Sequence, residues 1–449
     1  MIGRSCFNPK RQGAAAAAAL VLTVAISTAA CGRTEHPAGP AAKNGGVKPG
    51  VEVFLERHLD LVKGKRVGLI TNPTGTDGLL RSTIDLFLAN PAVKLVALYG
   101  PEHGVRGNAQ AGEHVPFTMD EKYNLPMFSL YGQSFKPDPG MLKNIDAYMR
   151  SFDTKETGKV PEAAMVEGID IMIFDIQDVG TRVYTYVATM AYAMQAAAEN
   201  DIDFIVLDRP NPINGADMEG PILEYPEFRS FIGPFPIPER HGMTMGELAG
   251  LFNDKFLARK ARLTVVPMEG WKREMWFDET GLPWVIPSPN MPTLDTAAVY
   301  PGLVALEGTN LSEGRGTTKP FELFGAPWID GYELTKALNG LGLSGVRFRE
   351  AWFTPSFSKF QGQLCGGCQV HVTDRDAFRS FAAALHIIKT VRDMYPDKFA
   401  FHADYFDKVM GTGSVRKALE AGTGVPAILE NIRPGLEAFA DLRKPYLIY

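Results

Sequence analysis

Apolar residues in the first half of the chain come in short unbroken runs. RVGLIT at 66–71, KLVALY at 94–99, IDIMIFDI at 169–176 and FIVL at 204–207 each break off into a polar turn. Runs of this length read as strands covered on both faces, the habit of a parallel sheet. A helix start at 83–88 and a small-residue helix at 185–199 lie between them, so the grammar is strand, helix, strand. PIPERHGMTMGELAGLF (236–252) then predicts a helix capped by Thr244, with Glu247 three residues on completing a capping box, and a further strand follows at 262–267.

The second half changes texture. PSPNMPT (287–293) is rigid and proline-dense, a seam that presents Asn290. Beyond it the pattern predicts helices at 331–341, 376–394 and 415–421, strands at 346–352 and 369–373, and an aromatic tail at 446–449 that docks on the core. The fold class is therefore α/β. A Rossmann-like N-terminal domain with a mostly parallel sheet spans 51–286, and a smaller α+β C-terminal domain spans 287–449. One stretch fits neither period: residues 300–328, YPGLVALEGTNLSEGRGTTKPFELFGAPW, set Glu307, Asn310, Glu313 and Arg315 among glycines. Such a run predicts a functional loop, anchored by Tyr300, Leu303 and Leu306 before it and by Phe321, Leu323, Phe324 and Trp328 after it.

In sheets of this class ligands bind beyond the carboxyl ends of the strands. Those ends deliver Asn72 and Thr74, then Glu102, His103 and Arg106, then Asp175, Gln177, Asp178 and Arg182, then Asp208, Arg209 and Asn211. No GxGxxG follows the first strand, so a dinucleotide site is unsupported and no cofactor is expected.

Composition narrows the partners. With 449 residues, 45% hydrophobic and a formal net charge of -5, the chain is globular and carries no basic footprint for nucleic acid. Small molecules or glycans fit better. At the N-terminus Arg4, Lys10 and Arg11 precede an apolar run at 14–26 that ends in STAACG. This is an export signal over 1–31 that resembles a lipobox, with Thr28 in place of the usual Leu. Cys31 would become the lipidated first residue, the one attachment to a membrane; ordinary cleavage near Ala30 is the alternative. Residues 32–50 read as a flexible tether. The expected location is outside the cytoplasm of a bacterium, periplasmic or anchored at the outer membrane. Cys6 leaves with the signal, and Cys365 and Cys368, in CGGC, could close on each other or act as a redox pair, but with no thioredoxin-like context they read as an incidental or local structural pair.

GLITNPTG, LYGPEHGVRG, FDIQDVGTRVYTY, LDRPNPI, RHGMTMGELA, PSPNMPT and EGTNLSEGRGTTKPFELFGAPW together resemble the block pattern of the NamZ-type exo-β-N-acetylmuramidases, across residues 53–449. The resemblance implies a Rossmann-like domain and a smaller C-terminal domain around a cleft. It also implies release of non-reducing terminal N-acetylmuramic acid from peptidoglycan fragments, muropeptide or disaccharide, in cell-wall turnover or recycling.

Glycoside cleavage needs an acid for the leaving oxygen and a second group, either a carboxylate or the substrate's own acetamido group. Glu102 is the first choice for the acid: it stands at a strand end beside His103, between Gly100 and Gly104. Glu307 and Glu313 are the candidates for a second catalytic carboxylate. The lactyl carboxylate of N-acetylmuramic acid calls for a cation, and Arg182, Arg209 and Arg315 are the candidates, with Arg106 and Arg240 behind them. Tyr184 could stack on the sugar or donate to it. His103, Asp178, Asn211, His241, Asn290 and Asn310 complete the polar set expected at the substrate. Two other readings stay open: a wall-fragment-binding lipoprotein without catalysis, and an amidase or esterase using Glu102, His103, Glu113 and His114 on zinc. No metal is expected, because no helical i, i+4 pair fixes those side chains.

Overall fold

In the computed structural model, which describes residues 46–113, 117–131, 135–150 and 168–449, the unbroken apolar runs pair in parallel. The strands are β1 (Arg66–Thr71), β2 (Lys94–Gly100), β3 (Thr118–Asp120), β4 (Leu125–Ser129), β5 (Ile171–Asp175), β6 (Asp203–Leu207), β7 (Glu219–Ile222), β8 (Pro238–Arg240) and β9 (Arg262–Val266). Seven of them form one sheet in the order β3-β4-β2-β1-β5-β6-β9, with β3 alone antiparallel to its neighbour. Both faces are covered, which explains the lack of alternation. Met172 and Phe174 of β5 enter one apolar cluster with helix Tyr186–Glu199, and Ile171 and Ile173 enter another with helices Gly50–Arg57 and Thr83–Leu88. Helix Tyr186–Glu199 is rich in Ala because it is buried between the sheet and helix Met245–Lys255. The latter starts at Thr244 with the expected capping box to Glu247.

The chain runs outward from β1 to β2 and β4, then crosses back to β5, β6 and β9. The reversal therefore falls between β1 and β5, where this class usually opens a crevice. Here internal bonds close it. The Gln177 amide donates to Thr74 Oγ1 at 2.8 Å, Thr74 Oγ1 donates to Asn72 Oδ1 at 2.5 Å, and Arg209 grips Asp175 with Nε at 2.6 Å and Nη2 at 3.0 Å.

The second half carries an antiparallel sheet, β10 (Leu323–Ala326), β12 (Cys365–Val372) and β11 (Val346–Phe353) in that order, backed by helix Gly331–Gly340. Strand β12 starts four residues before the expected 369, because Gly366 and Gly367 pair closely with the neighbouring chain. A Cβ on Gly367 would lie 2.0 Å from the Phe324 carbonyl oxygen. The predicted loop 300–328 is loop only in its middle: it opens in helix Leu294–Leu303, turns through Val304–Gly308 and ends in β10. Its apolar anchors pack inward, with Tyr300, Leu303, Leu306, Phe321 and Phe324 buried. Helix Val425–Arg443 was not foreseen. It ends in Arg443, whose buried guanidinium donates to the carbonyls of Gly242 (2.6 Å), Gly215 (3.1 Å) and Ala216 (3.1 Å). The tail follows it, and the Tyr449 hydroxyl donates to Asp208 Oδ2 at 2.8 Å. The described residues thus hold together as one compact unit.

Cys365 and Cys368 are both free and buried. Three residues apart in an extended strand, their Cα atoms stand roughly 10 Å apart on opposite faces, too far for a disulfide. The strand geometry therefore rules out closure on each other, and the two remain an unbonded pair. Burial pushes the Cys365 thiol up to about 11 and the Cys368 thiol to about 12. Both should stay unmodified by Ellman's reagent in native protein and react on denaturation. Arg443→Ala should cost about 2–3 kcal/mol in urea unfolding, since buried carbonyls lose their donor. Arg443→Lys should lie between, because one ammonium cannot reach all the carbonyls a guanidinium spans.

Candidate active site

A cleft of about 550 Å³ lies beyond the carboxyl ends of β2 and β5, walled on the other side by the 300–321 stretch. Of the expected site residues, Glu102, His103, Tyr184, Asn290, Glu307, Glu313 and Arg315 line it.

Glu102 enters on a tight turn after β2. His103 and Gly104 both take positive φ, 72° and 76°, and a Cβ on Gly100 would meet the Val105 nitrogen at 2.7 Å. Glu102 Oε1 accepts from the Gly112 amide at 3.0 Å, and Oε2 accepts from Thr185 Oγ1 at 2.7 Å. Thr185 stands at the N-cap of helix Tyr186–Glu199 and makes no side-chain cap there; its hydroxyl serves Glu102 instead. The positive end of that helix thus faces the carboxylate. Burial, reinforced by the Glu102 charge, pushes the Tyr131 phenol up to about 12. His103 Nδ1 lies 2.8 Å from the Ala109 carbonyl oxygen. A carbonyl only accepts, so Nδ1 carries the proton and Nε2 keeps its lone pair. Burial lowers the His103 pKa, outweighing the Glu102 charge that raises it.

The opposite wall is charged and internally paired. Glu307 Oε1 accepts from Arg315 Nη2 at 2.6 Å and Nε at 3.1 Å, and Oε2 accepts from the Tyr405 hydroxyl at 3.0 Å. Glu313 has Lys359 Nζ 3.0 Å from Oε2 and Arg315 Nε 3.5 Å from Oε1. Lys359 also donates to the carbonyls of Leu306 (2.8 Å), Leu311 (2.9 Å) and Glu307 (3.1 Å). Burial alone would lower the Arg315 pKa, but Glu307 and Glu313 raise it further than burial depresses it. Gly314 and Gly316, at φ 78° and 81°, let this loop fold over its own carboxylates; a Cβ on either would strike a carbonyl oxygen at 2.5 Å. Among the described residues, Glu102 is therefore the lining carboxylate that no cation pairs.

The remaining expected residues lie off the cleft, where they hold loops. Arg182 is fully buried, at 2.5 Å from Glu239 and 2.9 Å from the Val409 carbonyl oxygen; a guanidinium so placed needs a charged partner. Arg209 is spent on Asp175, and Arg106 pairs with Asp120 beside Tyr123. Arg240 pairs with Glu219 at 2.9 Å. Asn211 donates to the Met243 carbonyl at 3.0 Å, and Asn310 bonds the backbone at Lys398 and Ala400. Asp178 accepts from the Gly180 amide at 2.7 Å, and His241, buried, has Nε2 3.7 Å from it. Of the imagined zinc set, His114 lies outside the described residues, and Glu113 accepts from the Gln110 amide. Among the described residues no group of three His, Cys, Asp or Glu is arranged for a metal.

Thr185, Tyr131, Phe135, Phe231, Ser288 and Tyr405 line the cleft without having been singled out as site residues. Tyr405 and Lys359 arrive from far along the chain, so no local pattern announces them.

The chain is similar to known proteins over most of its length. Residues 67–159 and 152–295 match the N-terminal model, and residues 298–449 the C-terminal model, of the exo-β-N-acetylmuramidase NamZ. The chain is 53% identical over 409 residues, 91% of its length and 92% of the relative's, to the peptidoglycan β-N-acetylmuramidase NamZ of Bacillus subtilis. Two crystal structures of DUF1343 family proteins from Bacteroides fragilis are similar. One, 37% identical, superposes with a TM-score of 0.79 over 91% of this chain and all of its own; the other, 31% identical, reaches 0.69 over 90% and 99%.

The His103 ring should be neutral at pH 7 as the Nδ1–H tautomer. Long-range ¹H–¹⁵N spectra should show an unprotonated Nε2 and a titration midpoint below the ordinary 6.5; a midpoint above it would mean that the Glu102 charge outweighs burial.

Proposed function

The chain belongs to the NamZ exo-β-N-acetylmuramidase family, and on that premise we propose that Glu102 is the acid with which its cleft hydrolyses the glycosidic bond of a terminal N-acetylmuramic acid in peptidoglycan fragments. The chain is a glycosidase of cell-wall polymer. The observation that carries the assignment of roles is the asymmetry of charge across the cleft. Glu307 and Glu313 are bound by Arg315 and Lys359, whereas Glu102 is held by uncharged donors.

A carboxylate bound to a guanidinium and an ammonium is a poor base and a poor nucleophile, because attack would strip it of those partners. We therefore assign Glu102 the whole of the acid-base work. Protonated, it gives its proton to the glycosidic oxygen as the C1–O bond breaks. The carbonyl oxygen of the substrate's acetamido group closes on C1 from the opposite face. Water then attacks C1 and releases its proton to Glu102, which restores the acid. The Thr185 hydroxyl and the Gly112 amide fix the carboxyl during both transfers. On the facing wall Arg315 bonds Glu307 through Nε and Nη2, which leaves Nη1 for the lactyl carboxylate that sets N-acetylmuramic acid apart from N-acetylglucosamine.

We also place the protein outside the cytoplasm. The support is sequence alone: the signal over 1–31, Cys31 as lipid attachment and the tether that follows, all but the tether's last residues lying outside the described residues. Among the described residues no helix is long and apolar enough to cross a membrane. The periplasmic face of a bacterial membrane is where the substrate is.

The test is hydrolysis of a chromogenic β-N-acetylmuramide beside the matching β-N-acetylglucosaminide, with and without chelator. Wild type should cleave the muramide. Glu102→Gln should lose about 10²–10⁴ in kcat while its fold is unchanged by circular dichroism. Arg315→Met should narrow the preference for the muramide. Chelator should change nothing, and ¹H NMR should show the β-anomer as the first product. An α-anomer formed first would exclude participation by the acetamido group, and chelator-sensitive turnover would return the zinc reading.

A further inference from the structure

The lining of the cleft is not uniform. Part of it is polar: Arg315, Glu307, Tyr405, Asn290 and Ser288. Another part is aromatic. Phe135 and Phe231 stack with centroids 4.0 Å apart and planes 18° from parallel, and Tyr131 leans on both at 5.5 Å. Tyr192 lies parallel to Phe231, 6.1 Å behind it. Phe135 is 38% exposed and Tyr131 and Phe231 are half-buried, so this stack is a shelf in the cleft and not part of the core. An aromatic group left this open gives up apolar burial that the fold could have used, and a stacked pair offers one flat face to whatever enters.

Tyr131 joins the two regions. Its ring belongs to the shelf, and its phenol stands close enough to Glu102 for that carboxylate's charge to raise its pKa. The shelf therefore adjoins the acid. Given that Glu102 protonates the glycosidic oxygen, the sugar being cleaved off occupies one side of that oxygen and its leaving group the other. The charged wall suits the sugar that bears a carboxylate. The geometry points to the shelf of Tyr131, Phe135 and Phe231 as the subsite for the leaving group, a neutral pyranose whose C–H face lies against the Phe135–Phe231 stack. This inference rests on the glycosidase reading and adds to it the direction in which the substrate lies.

The test compares two substrates of one enzyme: a disaccharide in which N-acetylmuramic acid is linked to N-acetylglucosamine, and the β-fluoride of N-acetylmuramic acid, whose leaving group has no ring to stack. The ratio of kcat/KM for disaccharide over fluoride should fall about tenfold in Phe231→Ala and in Phe135→Ala, the loss of one ring contact, and should recover in Phe231→Trp. Because the readout is a ratio within each variant, a partly misfolded preparation does not imitate it. A ratio unchanged in both alanine variants overturns the subsite while leaving the glycosidase reading in place. Failure of wild type to cleave either substrate overturns that reading and the subsite with it.

Discussion

Two carboxylates, Glu307 and Glu313, share one wall of a half-closed cleft because two cations stand with them. Without Arg315 between them and Lys359 behind, two like charges would repel in a poorly solvated place. Lys359 does more than neutralise. It reaches three carbonyls of the 306–311 turn as well as Glu313, and in the loop so held Arg315 lies over Phe321 at 5.0 Å. The wall is thus electrically settled before any ligand arrives, and Glu102, among the described residues the lining carboxylate without a cation, is on the other side.

The scaffold shows the same separation of tasks. In an open parallel sheet the place for a ligand is the reversal point, here between β1 and β5, and this chain fills that place with Asn72, Thr74, Gln177 and the Arg209–Asp175 pair. The cleft lies one strand outward, at the turn after β2 and toward the foot of helix Tyr186–Glu199. What would be a cofactor crevice has become a brace. The polar clusters at the strand ends are therefore of two kinds that look alike in one dimension.

That likeness marks the limit of what the residues reveal in order. The strands of the large sheet and the capping box at Thr244 are legible because their signals are local: an unbroken apolar run, or two side chains three residues apart. Glu102 is legible because glycines flank it at the end of a run. Arg182 and Arg209 resemble substrate-binding cations on the same grounds, yet their partners Glu239 and Asp175 sit 57 and 34 residues away in sequence, and only tertiary packing tells a spent guanidinium from a free one. Helix Leu294–Leu303 was hidden by being apolar all round with Pro301 inside it, and helix Val425–Arg443 by Pro434 and Gly435 in its middle. Tyr131 and Phe231 carry no local mark at all.

The cleft's residues are strung out along the chain: Glu102 lies near its start, Arg315 well beyond the middle, and Lys359 and Tyr405 later still. A polypeptide emerging N-terminus first would expose the acid long before the cations that settle the facing wall. No early fragment holds both sides of the cleft, and a nick anywhere between them that lets the halves part disarms it. The cleft is thus complete only once residues far apart in the chain have folded together.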